Sequence, residues 1–600
     1  MRHRIKIALK SVANPRYGMT MARLHRIRKQ IDMEREKSYA DWFERQKLSD
    51  EQLAVQRDEA AKLSERPLIS ILLPTYNTDP AYLTKCIESV LAQTYDNWEL
   101  CISDDASPSQ ETRDVIKRFV KKYSNINATF NKTNGHISVS SNVALKMAKG
   151  EFISLLDHDD ILPPSALFEA VKVINERPDV DLIYTDEDKV DGDGNHIEPF
   201  FKPDWSPNFL NSCNVITHFA TIRATVMKRI GGFTIGTHGA QDWDLFLRIT
   251  QQTQNVYHIP KILYHWRKSE TSTAMNADSK PYAYINQKRV LRESVVARKE
   301  NAYIEEHMAL GFWRKRYVIE QTPLVSIIIP TKDNHKLIKQ CIDSIIEKTT
   351  YPYFEIVVVD TGSSDKKVAE YYQKLAKEKQ PVNVVEFVEQ PFNFSKACNY
   401  GAKKARGEYF LFLNNDTEVI TLEWIQAMLE HAQRPEIGMV GAKLLFPNEE
   451  VQHAGIVLSE RDIAFHPFYM RNPLLDIFTY IFISNIREVS AVTAACSMVA
   501  RSKFEEVGGF DAKLRVTYND VDLNLKLREA GYNNLYTPYA ELFHYESVSV
   551  GRVNTSSRDQ TELKSAQELM RKRWGKYLKR DPFYNDNLEQ FGPGYRLPKE

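Results

Sequence analysis

The sequence predicts an α/β fold with two tandem domains, each built on a mainly parallel sheet, and two observations lead to that prediction. From Pro67 onward, short apolar runs typical of buried strands alternate with helical segments. The same order of landmarks then returns about 256 residues later in the chain. Two homologous domains, each with helices packed on one sheet, account for both observations.

One sequence motif of the first half defines the repeat: it consists of a helical segment, a glycine, an apolar strand and a cluster of acids. It occupies residues 142–160 and ends in Asp157-His158-Asp159-Asp160. It returns at residues 399–416, which end in Asn414-Asn415-Asp416. Acids at the carboxyl end of a buried strand lie where open α/β sheets bind their ligands.

The other landmarks keep a near-constant spacing between the two halves. In the order first half, second half, they are Pro74-Thr75-Tyr76-Asn77 and Pro330-Thr331-Lys332, Asp104-Asp105 and Asp360-Thr361, Gly231-Gly232 and Gly508-Gly509, Asp242 and Asp520, and His265 and His544. The offset is 256 or 257 up to the acid cluster and 277 to 279 beyond it, which locates an insertion in the second half.

Residues 461–487, which are crowded with aromatic side chains, are the best candidate for this insertion. Two interpretations fit the segment. It forms a flap that faces an acceptor lipid or a membrane, or it covers the core or the interface between the two domains.

Composition restricts the class of protein. The chain is 42% hydrophobic and 26% charged with a formal net charge of +1, which is ordinary for globular domains and argues against a nucleic-acid-binding protein. The six cysteines are scattered without a C-x-x-C, so neither a disulfide framework nor a zinc site is expected. No apolar run has the length of a spanning helix, and the first residues lack the apolar core of a signal peptide, so we expect a cytoplasmic protein.

The N-terminus is strongly basic: residues 1–30 contain nine Lys or Arg and no Asp or Glu. This segment is either a basic amphipathic element lying on the anionic inner face of the cytoplasmic membrane, or a basic arm that is solvated or packed on the protein. The predicted organisation is a basic and then charged helical extension over 1–66, a first domain over 67–300, a linker over 301–322, a second domain over 323–558 and a tail over 559–600.

The acid clusters predict a metal-dependent chemistry. Carboxylates at a strand end suit Mg²⁺ or Mn²⁺, which prefer oxygen ligands and leave positions open for phosphate. A metal held there would neutralise a departing diphosphate, and His265 or His544, each behind a later strand, would complete its coordination. A D-x-D or a single histidine is weak by itself, but two matched copies favour this interpretation.

Asp242 and Asp520 occupy the same place in the two halves, at a predicted helix start a fixed distance beyond Gly-Gly-Phe. An aspartate there is often a helix cap. Both copies, however, keep it among polar neighbours, which favours a general base that takes the proton from an acceptor hydroxyl.

These landmarks together resemble the family 2 glycosyltransferases of GT-A fold, a Rossmann-like fold, over about 67–300 and 323–560. Segments such as YTDEDKVDGDGNHIEPFFKPDWSP at 184–207 and YNDVDLNLKLREAGY at 518–532 are similar to the tandem-domain enzymes of bacterial O-antigen and capsule biosynthesis. The resemblance implies an inverting hexosyl- or deoxyhexosyltransferase that needs Mn²⁺ or Mg²⁺. Its partners would be a UDP- or dTDP-linked sugar donor and a lipid-linked or oligosaccharide acceptor.

The resemblance also assigns roles to the matched residues. The bases would be Asp242 and Asp520, and the metal ligands would be Asp159, His265, Asp416 and His544. The nucleotide-sugar-binding residues would be Pro74, Thr75, Tyr76, Asn77, Asp104, Asp105, Asp157, Pro330, Thr331, Lys332, Asp360 and Asn414. The block 493–497 would line the side of the acceptor or donor sugar.

Two departures separate the halves: Thr361 replaces Asp105, and Asn414 replaces Asp157. They predict domains that take different donors or form different linkages in one bifunctional enzyme. The alternatives are one catalytic domain beside one that only grips the glycan, or a non-catalytic scaffold of a polysaccharide assembly complex.

Overall fold

The computed structural model of the protein describes residues 15–268, 281–307, 309, 311–472, 477–545, 557–592 and 594–598. They form two compact units, one mainly over Glu36–Arg316 and one mainly over Tyr317–Arg596, called the first and second unit below. Within these ranges no helix is both long enough and apolar enough to cross a membrane. The basic element predicted at the N-terminus falls on residues 1–14 and on side chains up to residue 27, outside the described part.

The first half of the chain contains ten helices and ten strands among the described residues. The helices are α1 (Pro15–Gln46), α2 (Asp50–Lys62), α3 (Pro80–Leu91), α4 (Gln110–Lys122), α5 (His136–Met147), α6 (Ala166–Glu176), α7 (Pro207–Ser212), α8 (Ala224–Ile230), α9 (Gln241–Gln252) and α10 (Pro281–Ala297). The strands are β1 (Ile69–Thr75), β2 (Trp98–Asp104), β3 (Ile126–Phe130), β4 (Phe152–Leu155), β5 (Leu182–Val190), β6 (His196–Phe200), β7 (Ala220–Arg223), β8 (Val256–Arg267), β9 (Ala302–Glu306) and β10 (Trp313–Tyr317).

The sheet of the first unit has the order β3-β2-β1-β4-β7-β5-β6, with β8 paired to β5. Strand β1 runs parallel to both β2 and β4 and is buried along its whole length, which explains its continuous apolar sequence. The carboxyl ends of these three strands therefore meet at one edge of the sheet. The polar loops that follow Thr75, Asp104 and Leu155 lie at this edge.

The second half follows the same plan. Its helices are α11 (His335–Lys348), α12 (Lys366–Lys377), α13 (Phe394–Lys404), α14 (Trp424–Ala432), α15 (Ile477–Ile483), α16 (Arg501–Glu506), α17 (Asn519–Glu529) and α18 (Ser557–Leu578). Its strands are β11 (Val325–Thr331), β12 (Phe354–Asp360), β13 (Val382–Glu386), β14 (Tyr409–Leu413), β15 (Thr417–Val419), β16 (Ile437–Leu445), β17 (Val451–His453), β18 (Val457–Ser459), β19 (Ile463–Phe465), β20 (Arg487–Val489), β21 (Cys496–Ala500) and β22 (Asn533–His544).

The sheet of the second unit has the order β13-β12-β11-β14-β21-β16-β22-β15. Its first seven strands match β3-β2-β1-β4-β7-β5-β8 of the first unit in order and chain direction. The predicted α/β fold with two mainly parallel sheets is therefore confirmed.

A glycine joins the repeated helix to the repeated strand in both units. At Gly150 a Cβ atom would lie 2.5 Å from the Leu68 carbonyl oxygen and 2.7 Å from the Ser70 backbone nitrogen, so no larger residue fits. The Gly150 N–H donates to Ser70 Oγ (2.7 Å), and that hydroxyl donates to Glu99 (2.6 Å). This contact fixes where β4 starts, and with it the position of the acids at its end.

The second unit repeats this junction at Gly407. Its N–H donates to Ser326 Oγ (2.8 Å), which donates to Glu355 (2.7 Å). A Cβ atom on Gly407 would lie 2.6 Å from that same hydroxyl. The two acid clusters are therefore delivered by the same local structure.

The described part of the aromatic insertion packs into the second unit. Phe465, Phe468 and Phe482 are all buried, and the guanidinium of the buried Arg487 donates to the Phe482 carbonyl (2.9 Å). Arg487 also lies over the rings of Phe468 and Tyr536. These contacts favour the interpretation of the insertion as a cover of the core, while residues 473–476 are outside the described part.

Candidate active sites

The acid cluster of the first unit is tied to the neighbouring strand β8. Asp160 is buried and accepts hydrogen bonds from the Tyr264 hydroxyl (2.5 Å) and from the Arg267 N–H (2.7 Å). The Asp157 N–H donates to the same tyrosine oxygen (3.2 Å). Asp160 therefore serves as an anchor, and Asp157 and Asp159 remain half-buried at the edge of the sheet.

His218, which the sequence analysis did not single out, lies beside this cluster. Its ring stacks on Tyr264 with the centroids 5.1 Å apart and an interplanar angle of 10°. One of its nitrogens and one carboxylate oxygen each from Asp157 and Asp160 all lie within 4.8 Å of one another. His218 therefore lies beside one predicted residue, Asp157, and beside the anchoring Asp160, whereas Asp159 is not part of this group.

Glu187 contacts His218 directly, and Lys202 in turn contacts Glu187. His218 Nδ1 is 3.2 Å from Glu187 Oε1, and the fully buried Lys202 donates to Glu187 Oε2 (3.0 Å) and to the Ile216 carbonyl (2.7 Å). Burial by itself lowers the pKa of His218, but Glu187, followed by Asp160 and Asp157, raises it to about 9. In the absence of a metal ion, these carboxylates therefore favour the protonated form of His218.

Asp242 faces the same cavity as Asp157. This cavity has a volume of about 310 Å³, and Pro74, Asp157, His218 and Asp242 are among its lining residues. The Asp242 carboxylate accepts a hydrogen bond from Asn214 Nδ2 (2.7 Å), and burial raises its pKa. The N-cap of α9 is Ala240, so Asp242 lies in the first turn of the helix, where hydrogen bonds from the backbone N–H groups of Trp243 and of Asp242 itself lower its pKa and oppose the effect of burial.

The predicted nucleotide-binding residues lie along the ends of β1 and β2. Tyr76 is 48% exposed, and the Asn77 N–H donates to Ser107 Oγ (2.8 Å). Asp105 is buried and accepts from the Gly135 N–H (3.0 Å) and from Asn131. Asp104 is also buried, and its Oδ1 has no hydrogen-bond partner among the described residues. An acceptor left without a donor in this position suits an N–H group of a ligand.

His265 belongs to a second group in the first unit. Its Nδ1 lies 2.5 Å from Asp188 Oδ1, and His196 Nδ1 lies 2.8 Å from Asp188 Oδ2. Its backbone pairs with Ile161, two residues beyond Asp159. His265 is therefore brought close to the acidic loop along the chain, but its role as a metal ligand together with Asp159 stays a prediction.

In the second unit two predicted metal ligands, far apart in sequence, are in contact. His544 Nε2 lies 3.1 Å from Asp416 Oδ1 and 3.3 Å from Asn414 Nδ2, and its Nδ1 lies 2.6 Å from Gln452 Oε1. A carboxamide oxygen only accepts, so the proton of a neutral ring is on Nδ1. Nε2 and the Asp416 carboxylate oxygen lie side by side, an arrangement of ligand atoms that suits a divalent cation.

Asp520 occupies the position of Asp242 but has different partners. Its carboxylate accepts from the Ala494 N–H (3.2 Å) and from the Val521 N–H (2.8 Å), and burial raises its pKa. The predicted lining block 493–497 thus reaches Asp520. The strand registers align His218 with Ala495, so the second unit has no cation at this position.

The other predicted residues of the second unit shape the ends of β11 and β12. Asp360 accepts from the Gly362 N–H (2.9 Å) and the Ser363 N–H (2.7 Å). Thr331 Oγ1 accepts from Asn415 Nδ2 (2.8 Å), which links the end of β11, beyond Pro330, to the acid cluster. Lys332 is exposed.

The raised pKa of His218 makes the first unit less stable at alkaline pH. A histidine whose pKa rises from 6.5 in the unfolded chain to about 9 in the folded one stabilises the fold fully below pH 6.5, and this stabilisation is lost as the pH rises through 9. We expect the unfolding temperature of the metal-free first unit to fall across this range and His218→Gln to flatten the fall. Differential scanning calorimetry with EDTA measures it, and an unchanged slope in the variant would contradict the assignment.

Comparison with known proteins agrees with this geometry. The profile of glycosyl transferase family 2 matches residues 70–231 and 326–508, together more than half of the chain. Uncharacterized protein y4gI of Sinorhizobium fredii is 40% identical over 534 residues, which cover 88% of this chain and 58% of that protein. The O-antigen biosynthesis protein RfbC of Myxococcus xanthus is 36% identical over 495 residues, 82% of this chain and 38% of RfbC.

The chain thus spans little more than half of one relative and less than half of the other. Among solved structures, S. aureus TarS in complex with UDP-GlcNAc aligns with a TM-score of 0.33 and 23% identity, over 38% of this chain and 66% of that one. The fold, the repeated landmarks and the two profile matches lead to one conclusion: the chain belongs to glycosyl transferase family 2, with one GT-A domain in each unit.

Proposed function

We propose that the protein is a bifunctional inverting glycosyltransferase that extends a bacterial surface polysaccharide such as an O-antigen or a capsule. Each unit would transfer a sugar from a nucleotide-diphosphate donor. The observation that carries the proposal is the cavity of the first unit, where the strand-end Asp157 and the helix-start Asp242 face the same space. The name of the Myxococcus relative supports the polysaccharide class.

Asp242 is suited to the base of the first unit. A half-buried carboxylate with a raised pKa, held by Asn214, takes the proton of an acceptor hydroxyl as that oxygen bonds to the anomeric carbon. The bond from the anomeric carbon to the diphosphate oxygen breaks on the opposite face, which gives inversion. The electron pair leaves with the nucleotide diphosphate, near His218.

The predicted metal ligands of both units have the chemistry that Mn²⁺ or Mg²⁺ prefers. The first unit would offer the carboxylates Asp157 and Asp159 together with His265, and the second would offer Asp416 with His544 Nε2, 3.1 Å apart. A bound divalent cation would supply positive charge to the leaving diphosphate. At the nucleoside end, the unpartnered Asp104 Oδ1 would accept an N–H of the base. UDP- and dTDP-linked sugars both carry such a group.

The acceptor would be a lipid-linked or free oligosaccharide, and the enzyme would work in the cytoplasm or on the inner face of the cytoplasmic membrane. The basic residues at the N-terminus support attraction to an anionic lipid surface. Nucleic acid is not an expected partner, because acids balance the basic residues over the rest of the chain.

A panel of UDP- and dTDP-sugars tests the proposal, with Mn²⁺, oligosaccharide acceptors, and the wild type compared with Asp159→Ala and Asp416→Ala. We expect each variant to lose a different transfer, because each substitution removes a carboxylate from only one unit. Chromatography of the labelled products separates the two linkages. Failure of the wild type to transfer any sugar of the panel would contradict the proposal.

A second candidate function is one catalytic unit beside one that binds the growing glycan. The observation that favours it is the loss of two charged groups in the second unit, where Asn414 and Ala495 stand in place of Asp157 and His218. Under this alternative Asp416→Ala leaves every transfer intact and weakens only the affinity for long acceptors.

A further inference from the structure

Asp188 of the first unit is a buried carboxylate that accepts hydrogen bonds from three side chains. The Tyr39 hydroxyl (2.6 Å) and His196 Nδ1 (2.8 Å) approach Oδ2, and His265 Nδ1 (2.5 Å) approaches Oδ1. Phe43 stacks on the His196 ring with the centroids 3.9 Å apart and covers the group. These separations are those of hydrogen bonds, so both carboxylate oxygens of Asp188 accept hydrogen bonds within the protein. The residues Asp188, Tyr39, His196 and His265 are called the hub below.

The hub determines which nitrogen of His265 carries the proton. A carboxylate oxygen at hydrogen-bond distance accepts, so Nδ1 carries a proton and Nε2 is the ring nitrogen left for a metal ion. Asp188 and His265 are also directly paired in the parallel register of β5 with β8. The register therefore fixes both the tautomer and the orientation of the ring.

The second unit reaches the same result with a different residue. Gln452, which is buried, accepts from His544 Nδ1 (2.6 Å), and His544 Nε2 faces Asp416 Oδ1 (3.1 Å). Gln452 lies on β17, whereas Asp188 lies on β5, so the two partners come from different strands of their sheets. In both units it is Nδ1 of the histidine that is hydrogen-bonded within the protein, to a carboxylate in the first unit and to an amide in the second.

We propose that Asp188 and Gln452 are positioning residues, which turn Nε2 of His265 and of His544 toward the divalent cation of the donor complex. The inference rests on the proposed function, since it assumes that both histidines bind that cation. A carboxylate partner makes an imidazole a stronger metal ligand than an amide partner does. The first unit therefore binds Mn²⁺ more tightly through its histidine than the second.

Mn²⁺ titration of the full-length protein, followed by electron paramagnetic resonance of the free ion, tests the inference without any turnover. Asp416→Ala restricts binding to the first unit, and Asp159→Ala restricts it to the second. In the Asp416→Ala protein, where only the first unit binds the ion, a further Asp188→Ala substitution is expected to weaken Mn²⁺ binding by about 10–100-fold. Asp188→Asn, which keeps an acceptor for Nδ1–H, is expected to weaken it less. In the Asp159→Ala protein, where only the second unit binds the ion, Gln452→Leu is expected to weaken Mn²⁺ binding and Gln452→Glu to strengthen it.

Tyr39→Phe is the matched control, because it removes a hydrogen bond to Asp188 Oδ2 and leaves the contact of Oδ1 with His265 intact. We expect Mn²⁺ affinity within about twofold of the parent for this variant, with a loss of thermal stability similar to that of Asp188→Asn. Folded Asp188 variants that bind Mn²⁺ as Tyr39→Phe does would overturn the positioning role alone. No Mn²⁺ binding in either parent background would overturn the metal assignment of the proposed function as well.

Discussion

Asp242→Asn is expected to lower kcat for the transfer made by the first unit by about 10²–10⁴-fold, the usual contribution of a general base. The amide keeps the shape of the side chain and its contact with Asn214 but does not accept the proton of the acceptor hydroxyl. Binding of the sugar nucleotide should change little, because the step that is lost is proton transfer. Steady-state rates for each product, together with calorimetric titration of the nucleotide, separate the two effects.

Asp244→Asn provides the control on the same helix. Asp244 is buried and pairs with Arg248 at 2.7 Å, so its amide variant is expected to lose stability and to keep its turnover. Asp520→Asn should reproduce the effect of Asp242→Asn on the second product. A variant at Asp242 that keeps more than a tenth of the wild-type kcat would exclude this residue as the base.

Lys202→Met is expected to destabilise the first unit by about 3–5 kcal/mol, the cost of breaking a buried ion pair from one side. The lysine ammonium is fully buried and donates to Glu187 and to the Ile216 carbonyl. Its removal leaves the Glu187 carboxylate buried, with Thr217 and His218 as its remaining polar partners among the described residues. Denaturant unfolding, with the second unit as an internal reference, gives the difference in the free energy of unfolding.

Lys261→Met is the comparison for this charge removal. Lys261 pairs with Glu169 at 2.6 Å, but its side chain is 54% exposed, so the expected cost is below about 1 kcal/mol. Equal losses in the two variants would show that the burial of Lys202 does not set the stability of the loop that carries His218.

The fold and half of the candidate site follow from sequence patterns that are local or repeated. The strand β4 and its copy β14 are apolar runs after a glycine, so their ends and their acids are predictable. Asp242 could be expected to take part in the site because Asp520 stands at the same distance beyond Gly-Gly-Phe in the second half, and Asp242 and Asp157 do line one cavity. The repeat strengthened both predictions, because chance does not reproduce the same landmarks in the same order in both halves.

The remaining site residues depend on tertiary contacts that no local pattern encodes. His218 lies in a loop and has no histidine counterpart in the second half, so the repeat gave no signal for it. Asp188 meets His265 only because β5 and β8 pair in parallel across 77 residues of sequence. Asp105 is predicted to bind the nucleotide, and its hydrogen bonds from Gly135 and Asn131, which lie in another loop, could not be read from the sequence.

The two glycine junctions separate a constant part of the repeat from a variable part. Gly150 and Gly407 each donate to an equivalent serine, which in turn donates to a glutamate, whereas the residues at the strand ends differ: Asp157 in the first unit and Asn414 in the second. The junction thus holds the start of the strand in the same way in both units, whichever loop follows the strand. The residues at the ends of β4 and β14 can therefore differ between the units without a change in the sheet that carries them.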